Sequence, residues 1–190
     1  MLRDHKLICF LDKRSNFVDF QRFSNWPRLI RHVKKVLEFV LRCKKQIISE
    51  PELHEKAELV CVSLSQSISF NEEYLCLKAH KPINKESRLL SSSTPFLDST
   101  DVIQIDSRIT YFNHLNLSNT PIFLDATEQY TVLLMKQYYE KFFHASHETI
   151  LNELRQKYWI LGLRNAMKKI VVRYVNFYAV NHHNPAWLHY

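Results

Sequence analysis

A single glycine, Gly162, in a chain of 190 residues restricts the turns and loops that this sequence can form. A globular protein of this length contains about thirteen glycines, at an average usage of roughly 7%. Phosphate loops and dinucleotide-binding fingerprints need several glycines close together, so the sequence excludes both motifs. Tight hairpin turns of the primed types also favour glycine, which argues against a compact all-β barrel.

Apolar residues recur with the period of a helix through most of the chain. Ser24 and Asn25 precede Pro27, a pattern typical of a helix start, and predict a helix over residues 27–48 with a strongly basic opposite face. Two more helices are expected over residues 51–67 and 71–80, and three short ones between residues 127 and 178. A turn at Gly162 precedes the last of these, as in a helix-turn-helix arrangement.

Strand-like composition is confined to the middle of the chain. Candidate strands, rich in β-branched and aromatic residues, cover residues 102–105, 108–112 and 120–124, and residues 91–95 read as a turn. The predicted fold class is therefore mainly α with a small β element (α+β), ending in a three-helix module. The predicted segments are a helical region 1–88, a β-rich stretch 89–125, a helical module 127–178 and a poorly ordered tail 179–190.

Charge divides the chain into two basic ends and a mildly acidic middle. Residues 1–50 carry a net charge of +7, residues 51–126 carry −4 and residues 127–190 carry +4. Basic ends suit contact with the phosphates of DNA or RNA, although solvated surface helices have the same composition.

Hydropathy, cysteine spacing and the surroundings of possible nucleophiles limit the location and activity expected of the protein. No apolar run approaches the ~20 residues of a membrane-spanning helix, and the first residues do not resemble a secretory signal. The four cysteines form no CxxC pair and are expected to be free thiols of a reducing compartment. We therefore expect an intracellular protein, with nucleus and cytoplasm not distinguished. No nucleophile has an activating partner, so we expect no enzyme activity. We also expect no small-molecule substrate and no membrane partner.

The segment from His144 to Arg164 contains the run Leu154-Arg155-Gln156-Lys157-Tyr158-Trp159-Ile160. It resembles the amino-terminal HHCC zinc-binding module of retroelement integrases, and most of all that of BEL/Pao-type LTR retrotransposons. Upstream pieces at residues 22–31, 55–59 and 87–98 are similar, in order, to the linker that follows ribonuclease H in those Pol polyproteins. The resemblance implies a non-catalytic Pol fragment with roles in DNA binding and self-association.

The zinc ligands of that module are two histidines and two cysteines, of which this chain keeps only His144. Tyr139, Tyr174 and Phe177 stand at the other three ligand positions. Phenylalanine has no lone pair to donate, and a tyrosine phenol with a pKa near ~10 is a poor zinc ligand at neutral pH. The resemblance therefore implies zinc for the family and its loss here. We expect a degenerate module with no cofactor, in which the aromatic side chains fill the metal site beside His144.

The outer side of the last predicted helix carries the candidate nucleic-acid-binding residues Arg164, Lys168, Lys169 and Arg173. Contacts from such side chains to phosphates give weak, nearly sequence-independent and salt-sensitive binding. Three alternatives stay open at this point. The first is a domesticated, metal-free helical protein that binds DNA or a protein partner. The second is an inert relic, and the third is a membrane-surface protein that uses the basic helix 27–48.

Overall fold

The computed structural model describes residues 18–89, 94–106, 120–142 and 146–181, with side chains of the last helix described as far as Asn176. These ranges form a mixed α/β structure of α-helices and one four-stranded sheet. The helices are α1 (Trp26–Cys43), α2 (Glu50–Ser69), α3 (Asn71–Lys78), α4 (Gln129–Lys141), α5 (His147–Lys157) and α6 (Leu163–Asn181). The strands are β1 (Thr94–Leu97), β2 (Ile103–Asp106), β3 (Ile122–Asp125) and β4 (Tyr158–Leu161).

The helix starts follow from local capping, which the sequence predicts at Asn25 for α1. The side chain of Asn25 accepts a hydrogen bond of 3.0 Å from the backbone N–H of Arg28 at the start of α1. At the start of α2, the backbone N–H of Ser49 donates to the side chain of Glu52 in a capping box. Each cap satisfies a backbone group that the first turn of a helix leaves without a partner.

Two helices end in Schellman motifs without the usual glycine. After α1, Lys45 adopts a φ of 54° and the N–H of Gln46 donates to the carbonyl of Leu41 at 3.0 Å. After α3, His80 adopts a φ of 52° and the N–H of Lys81 donates to a carbonyl of the last turn at 2.9 Å. The scarcity of glycine therefore places ordinary side chains at left-handed positions, and the first helix ends at Cys43 rather than at residue 48.

The sheet has the strand order β1-β2-β3-β4, with β1, β2 and β3 antiparallel and β4 parallel to β3. In the β1–β2 turn, the carboxylate of Asp98 accepts hydrogen bonds from Thr100 and from the N–H of Val102. This replaces a glycine-based turn by side-chain hydrogen bonding.

Strand β4 is an element that the sequence does not predict within the last helical segment. The sequence predicts only an interruption at Tyr158-Trp159-Ile160, followed by a turn at Gly162. In the structure, Tyr158 and Ile160 are buried while Trp159 is 40% exposed, and the strand pairs with Ile122–Asp125 of β3. The alternation of buried and exposed residues is the period of a strand. With only four residues, the segment is too short for this alternation to be recognised between two helices.

A buried glutamine joins helix α2 to the sheet. Strands β2 and β3 are in register at Gln104 and Ile122, and the next pair along would be Ile103 and Phe123. At that position the amide of Gln66 accepts from the N–H of Ile103 at 2.8 Å and donates to the carbonyls of Ile103 and Phe123 at 2.8 and 2.7 Å. One side-chain amide thus replaces a rung of the β-ladder where the two strands diverge.

Strand β3 separates two hydrophobic clusters. Ile122 and Leu124 face the main core, which includes residues of α1, α2, α4, α5, β4 and α6. Phe123 faces a smaller cluster that contains Phe70 and Ile103. Residues of all three predicted segments, 1–88, 89–125 and 127–178, therefore share the main core.

The remaining predicted elements agree only in part. The strands predicted at 102–105 and 120–124 correspond to β2 and β3 with small shifts, whereas 108–112 lies outside the described residues. Thr94 and Pro95, predicted to lie in a turn, begin β1. The last helix continues to Asn181, three residues beyond the predicted module.

Candidate nucleic-acid interface

Helix α6 is anchored on one side by apolar residues and packs against α4 and α5. Leu163, Met167 and Ile170 are buried at helical spacing. Gly162, with a φ of 76°, permits the sharp change of direction from β4 into the helix. The opposite side of α6 is consequently held toward solvent by the core beneath it.

All four predicted nucleic-acid-binding residues of α6 are exposed. At about 100° of rotation per residue, Arg164 and Lys168 lie together on one flank of the exposed surface and Lys169 and Arg173 lie on the other. A strip of exposed, uncharged residues runs between the two pairs: Asn165, Val172 and Asn176. The basic residues therefore border a neutral strip instead of forming one compact patch.

Only one of the four cations has an ion-pair partner in the described part of the chain. Arg164 pairs with Glu148 at 3.3 Å, whereas Lys168, Lys169 and Arg173 make no ion pair with a described residue. Helix α6 itself contains no acidic residue. Three cations are thus available to an external anion, and Arg164 is available only when it leaves Glu148.

Tyr139 and Tyr174, two of the positions at which the resemblance predicts zinc ligands, meet in the structure. The rings of Tyr139 on α4 and Tyr174 on α6 lie 5.0 Å apart, with their planes inclined at 55°. Tyr139 is 5% exposed, and the hydroxyl of Tyr174 donates to the carboxylate of Glu140. The predicted convergence of Tyr139 and Tyr174 is confirmed. His144 and the side chain of Phe177 lie outside the described residues.

The tyrosine pair does not fit a zinc site. The two rings occupy the space between α4 and α6, and the Tyr174 hydroxyl is already bonded to a carboxylate. Across the residues that the structure describes, no three His, Cys, Asp or Glu side chains are grouped so as to hold a metal. Loss of zinc stays a prediction, to be tested by metal analysis.

Lys136, which is absent from the predicted site residues, lies beside Arg173. Both side chains line an open pocket of about 270 Å³, together with Ser24, Ile170 and Tyr174. Lys136 precedes Tyr139 by three residues on α4, and i, i+3 positions share a helix face. That spacing was the available signal, because Tyr139 was already expected to face the last helix.

Buried ionisable groups between α2, α4 and β4 are held in their neutral forms. Burial raises the pKa of the Cys61 thiol, and the Glu58 carboxylate raises it further. Burial likewise raises the pKa of the Tyr130 and Tyr158 phenols. A protonated, buried thiol is a poor nucleophile, so Cys61 acts as a packing residue.

No helix in the described ranges has the length and apolar content needed to cross a membrane. Comparisons with protein family models, curated proteins and solved structures gave no match to this chain. The integrase resemblance consequently depends on the sequence alone: the run around Tyr158, the position of His144, and the shorter pieces at residues 22–31, 55–59 and 87–98.

Proposed function

We propose that this chain is a non-catalytic nucleic-acid-binding protein, derived from a retrotransposon Pol polyprotein, that binds phosphates through helix α6. The observation that carries the proposal is the set of exposed cations on a helix without acidic residues, with Lys168, Lys169 and Arg173 unpaired among the described residues. Lysine and arginine side chains in such a position release counterions when they meet phosphates, and this release drives binding.

The proposal includes a metal-free form of the integrase amino-terminal module. Its support is the contact between Tyr139 and Tyr174, which stand at two ligand positions, and the mutual packing of α4, α5 and α6. Aromatic packing then supplies the cohesion that zinc provides in related small modules. The helix-turn-helix-like arrangement is part of this proposal, with β4 inserted before the last helix.

A duplex binding assay on the full chain tests the nucleic-acid proposal. With three or four phosphate contacts, the affinity for duplex DNA should fall about 40-fold to 150-fold between 50 and 200 mM salt. Fluorescence anisotropy with two unrelated 20-base-pair duplexes should give nearly equal dissociation constants, because phosphate contacts do not read sequence.

Two variants with the same change in net charge locate the contact. The first replaces the four basic residues of α6 with glutamine: Arg164, Lys168, Lys169 and Arg173. The control replaces four exposed, unpaired basic residues at α1: Arg28, Arg31, Lys35 and Lys44. The α6 variant should lose most of the affinity and of the salt dependence, and the α1 variant should keep most of both.

Opposite results would refute the proposal. If the α1 variant loses binding while the α6 variant retains it, the contact lies on the basic face of the first helix. If the unmodified chain shows no binding even at 50 mM salt, the inert-relic or protein-partner alternative is favoured.

Metal analysis tests the metal-free part separately. After dialysis against a mild chelator we expect no stoichiometric zinc, and added zinc should leave the melting temperature unchanged. One zinc per chain, with a melting temperature that rises with zinc and falls in His144→Ala, would show that the module has rebuilt its ligand set.

A further inference from the structure

We propose that the pocket between the start of α1, helix α4 and helix α6 is a binding site for a phosphate group. The pocket is lined by Ser24, Lys136, Ile170, Arg173 and Tyr174 and has a volume of about 270 Å³. This site differs from the contact proposed for the outer surface of α6, because it is a concave site that takes residues from three parts of the chain. Only Arg173 belongs to both.

Charge is the first argument. Lys136 and Arg173 come from two different helices to the same pocket, and neither has an ion-pair partner among the described residues. Two cations that line one pocket repel each other, and an anion bound between them is attracted to both. The planar guanidinium of arginine matches two oxygens of a phosphate, and the lysine ammonium adds a point charge with three donors.

The other lining residues suit a phosphate carried on a small organic group. The hydroxyl of Ser24 adds a neutral donor at the mouth, where the residue is exposed. Ile170 forms an apolar wall and is 5% exposed, beside the ring of Tyr174. Pockets that take drug-sized ligands measure about 300–1,000 Å³, so this smaller volume fits a phosphate with little more than a sugar. Free phosphate, a mononucleotide and the terminal phosphate of a strand share this chemistry.

One nearby carboxylate opposes the binding of an anion. Its removal should therefore raise the affinity for phosphate, whereas removal of a lysine should lower it. Glu140 lies one turn after Lys136 on α4 and accepts the hydrogen bond of the Tyr174 hydroxyl. Glu140→Gln removes the negative charge and keeps an oxygen that accepts this hydrogen bond. Phosphate affinity should therefore rise in Glu140→Gln, whereas a general loss of structure would lower it.

Titration of the full chain followed by backbone amide NMR tests the site. The probes are inorganic phosphate, adenosine 5′-monophosphate, adenosine, and a single-stranded decanucleotide with and without a 5′-phosphate. We expect saturable shifts at Ser24 and Arg173 with the phosphorylated probes and none with adenosine. A preference among the phosphorylated probes identifies the source of the phosphate: free ion, mononucleotide or strand end.

Three variants connect the shifts to the pocket. Lys136→Gln should weaken phosphate binding at least tenfold, and Glu140→Gln should strengthen it several-fold. Lys141→Gln is the matched control, because Lys141 is an exposed lysine of the same helix that does not line the pocket. It should change the affinity less than twofold.

The inference is overturned if no probe gives saturable shifts at these residues, or if Lys136→Gln and Lys141→Gln have equal effects. Its failure is separable from that of the proposed function. Replacing Lys168 and Lys169 with glutamine should weaken duplex binding and leave phosphate binding intact, since neither residue lines the pocket. Loss of phosphate binding in that double variant would place the anion on the outer surface of α6 and refute the pocket site.

Discussion

Replacing Gln66 with methionine should cost much more stability than the same replacement at an exposed glutamine. Gln66 is 1% exposed, and its amide makes three hydrogen bonds of 2.7–2.8 Å to Ile103 and Phe123, both of which are 0% exposed. Methionine has a similar length and fills the same space, but it leaves one buried N–H and two buried carbonyls without this partner. Each unsatisfied group costs about 1–3 kcal/mol, so we expect a loss of at least about 3 kcal/mol.

Urea unfolding followed by far-UV circular dichroism measures this loss. The control is Gln156→Met, which changes an exposed glutamine of α5 and should alter the free energy of unfolding by less than about 0.5 kcal/mol. Equal effects of less than 1 kcal/mol for both variants would refute the reasoning. They would show that β2 and β3 stay together without the amide.

Gln66→Glu separates the role of the amide oxygen from that of the amide NH2 group, because the stability of this variant should depend on pH. A carboxylate still accepts from the N–H of Ile103, but it faces the carbonyl oxygens of Ile103 and Phe123 without a proton to donate. Such a buried acid has a raised pKa in the folded state, so its protonation favours folding as the pH falls. We expect Gln66→Glu to be less stable than Gln66→Met at pH 7 and to recover in part below pH ~5. A pH-independent difference between the two variants would contradict this assignment.

Three further predictions follow from backbone strain, burial and charge. Lys45→Gly and His80→Gly should each raise the free energy of unfolding, measured in urea, by about 0.5–1 kcal/mol. Glycine relieves about 1–2 kcal/mol of left-handed backbone strain, which exceeds the entropy that it adds to the unfolded chain. A loss of stability would show that the side chains make contacts that glycine lacks. Burial and a neighbouring carboxylate raise the pKa of Glu128 in the folded state. The folded protein therefore loses stability as the pH rises through that pKa. Glu128→Gln should raise the melting temperature at pH 7 and leave it unchanged at pH 4. A maleimide should modify exposed Cys43 within minutes and buried Cys61 only on unfolding, as judged by peptide mass spectrometry, and rapid modification of Cys61 in the native protein would contradict its burial.

Helices were the predictable part of the fold because their signals are local. Asn25 caps α1 and the Ser49–Glu52 pair caps α2, and both signals can be recognised in a few consecutive residues. The end of α1 was predicted too late because the left-handed position falls on Lys45, and a lysine carries no stop signal.

Strand pairing was harder to predict from the sequence because it depends on residues far apart in the chain. Strand β4 has four residues, and its partner β3 ends thirty-three residues earlier. Gln66 lies in a helical pattern like any polar residue, and its role becomes visible only when β2 and β3 meet above it. The convergence of Tyr139 and Tyr174 was predictable only through the integrase resemblance, since composition alone does not bring α4 and α6 together.

The parallel pairing of β3 with β4 has a consequence for how this protein can be divided. A cut between residues 126 and 127 follows the composition of the sequence, yet it would separate Ile122–Asp125 from Tyr158–Leu161 and remove α1 and α2 from the core. The carboxy-terminal piece would then present an unpaired strand edge and a bare apolar surface, both of which promote aggregation. The described residues on the two sides of this boundary share one sheet and one main core, so a truncation made there disturbs both sides.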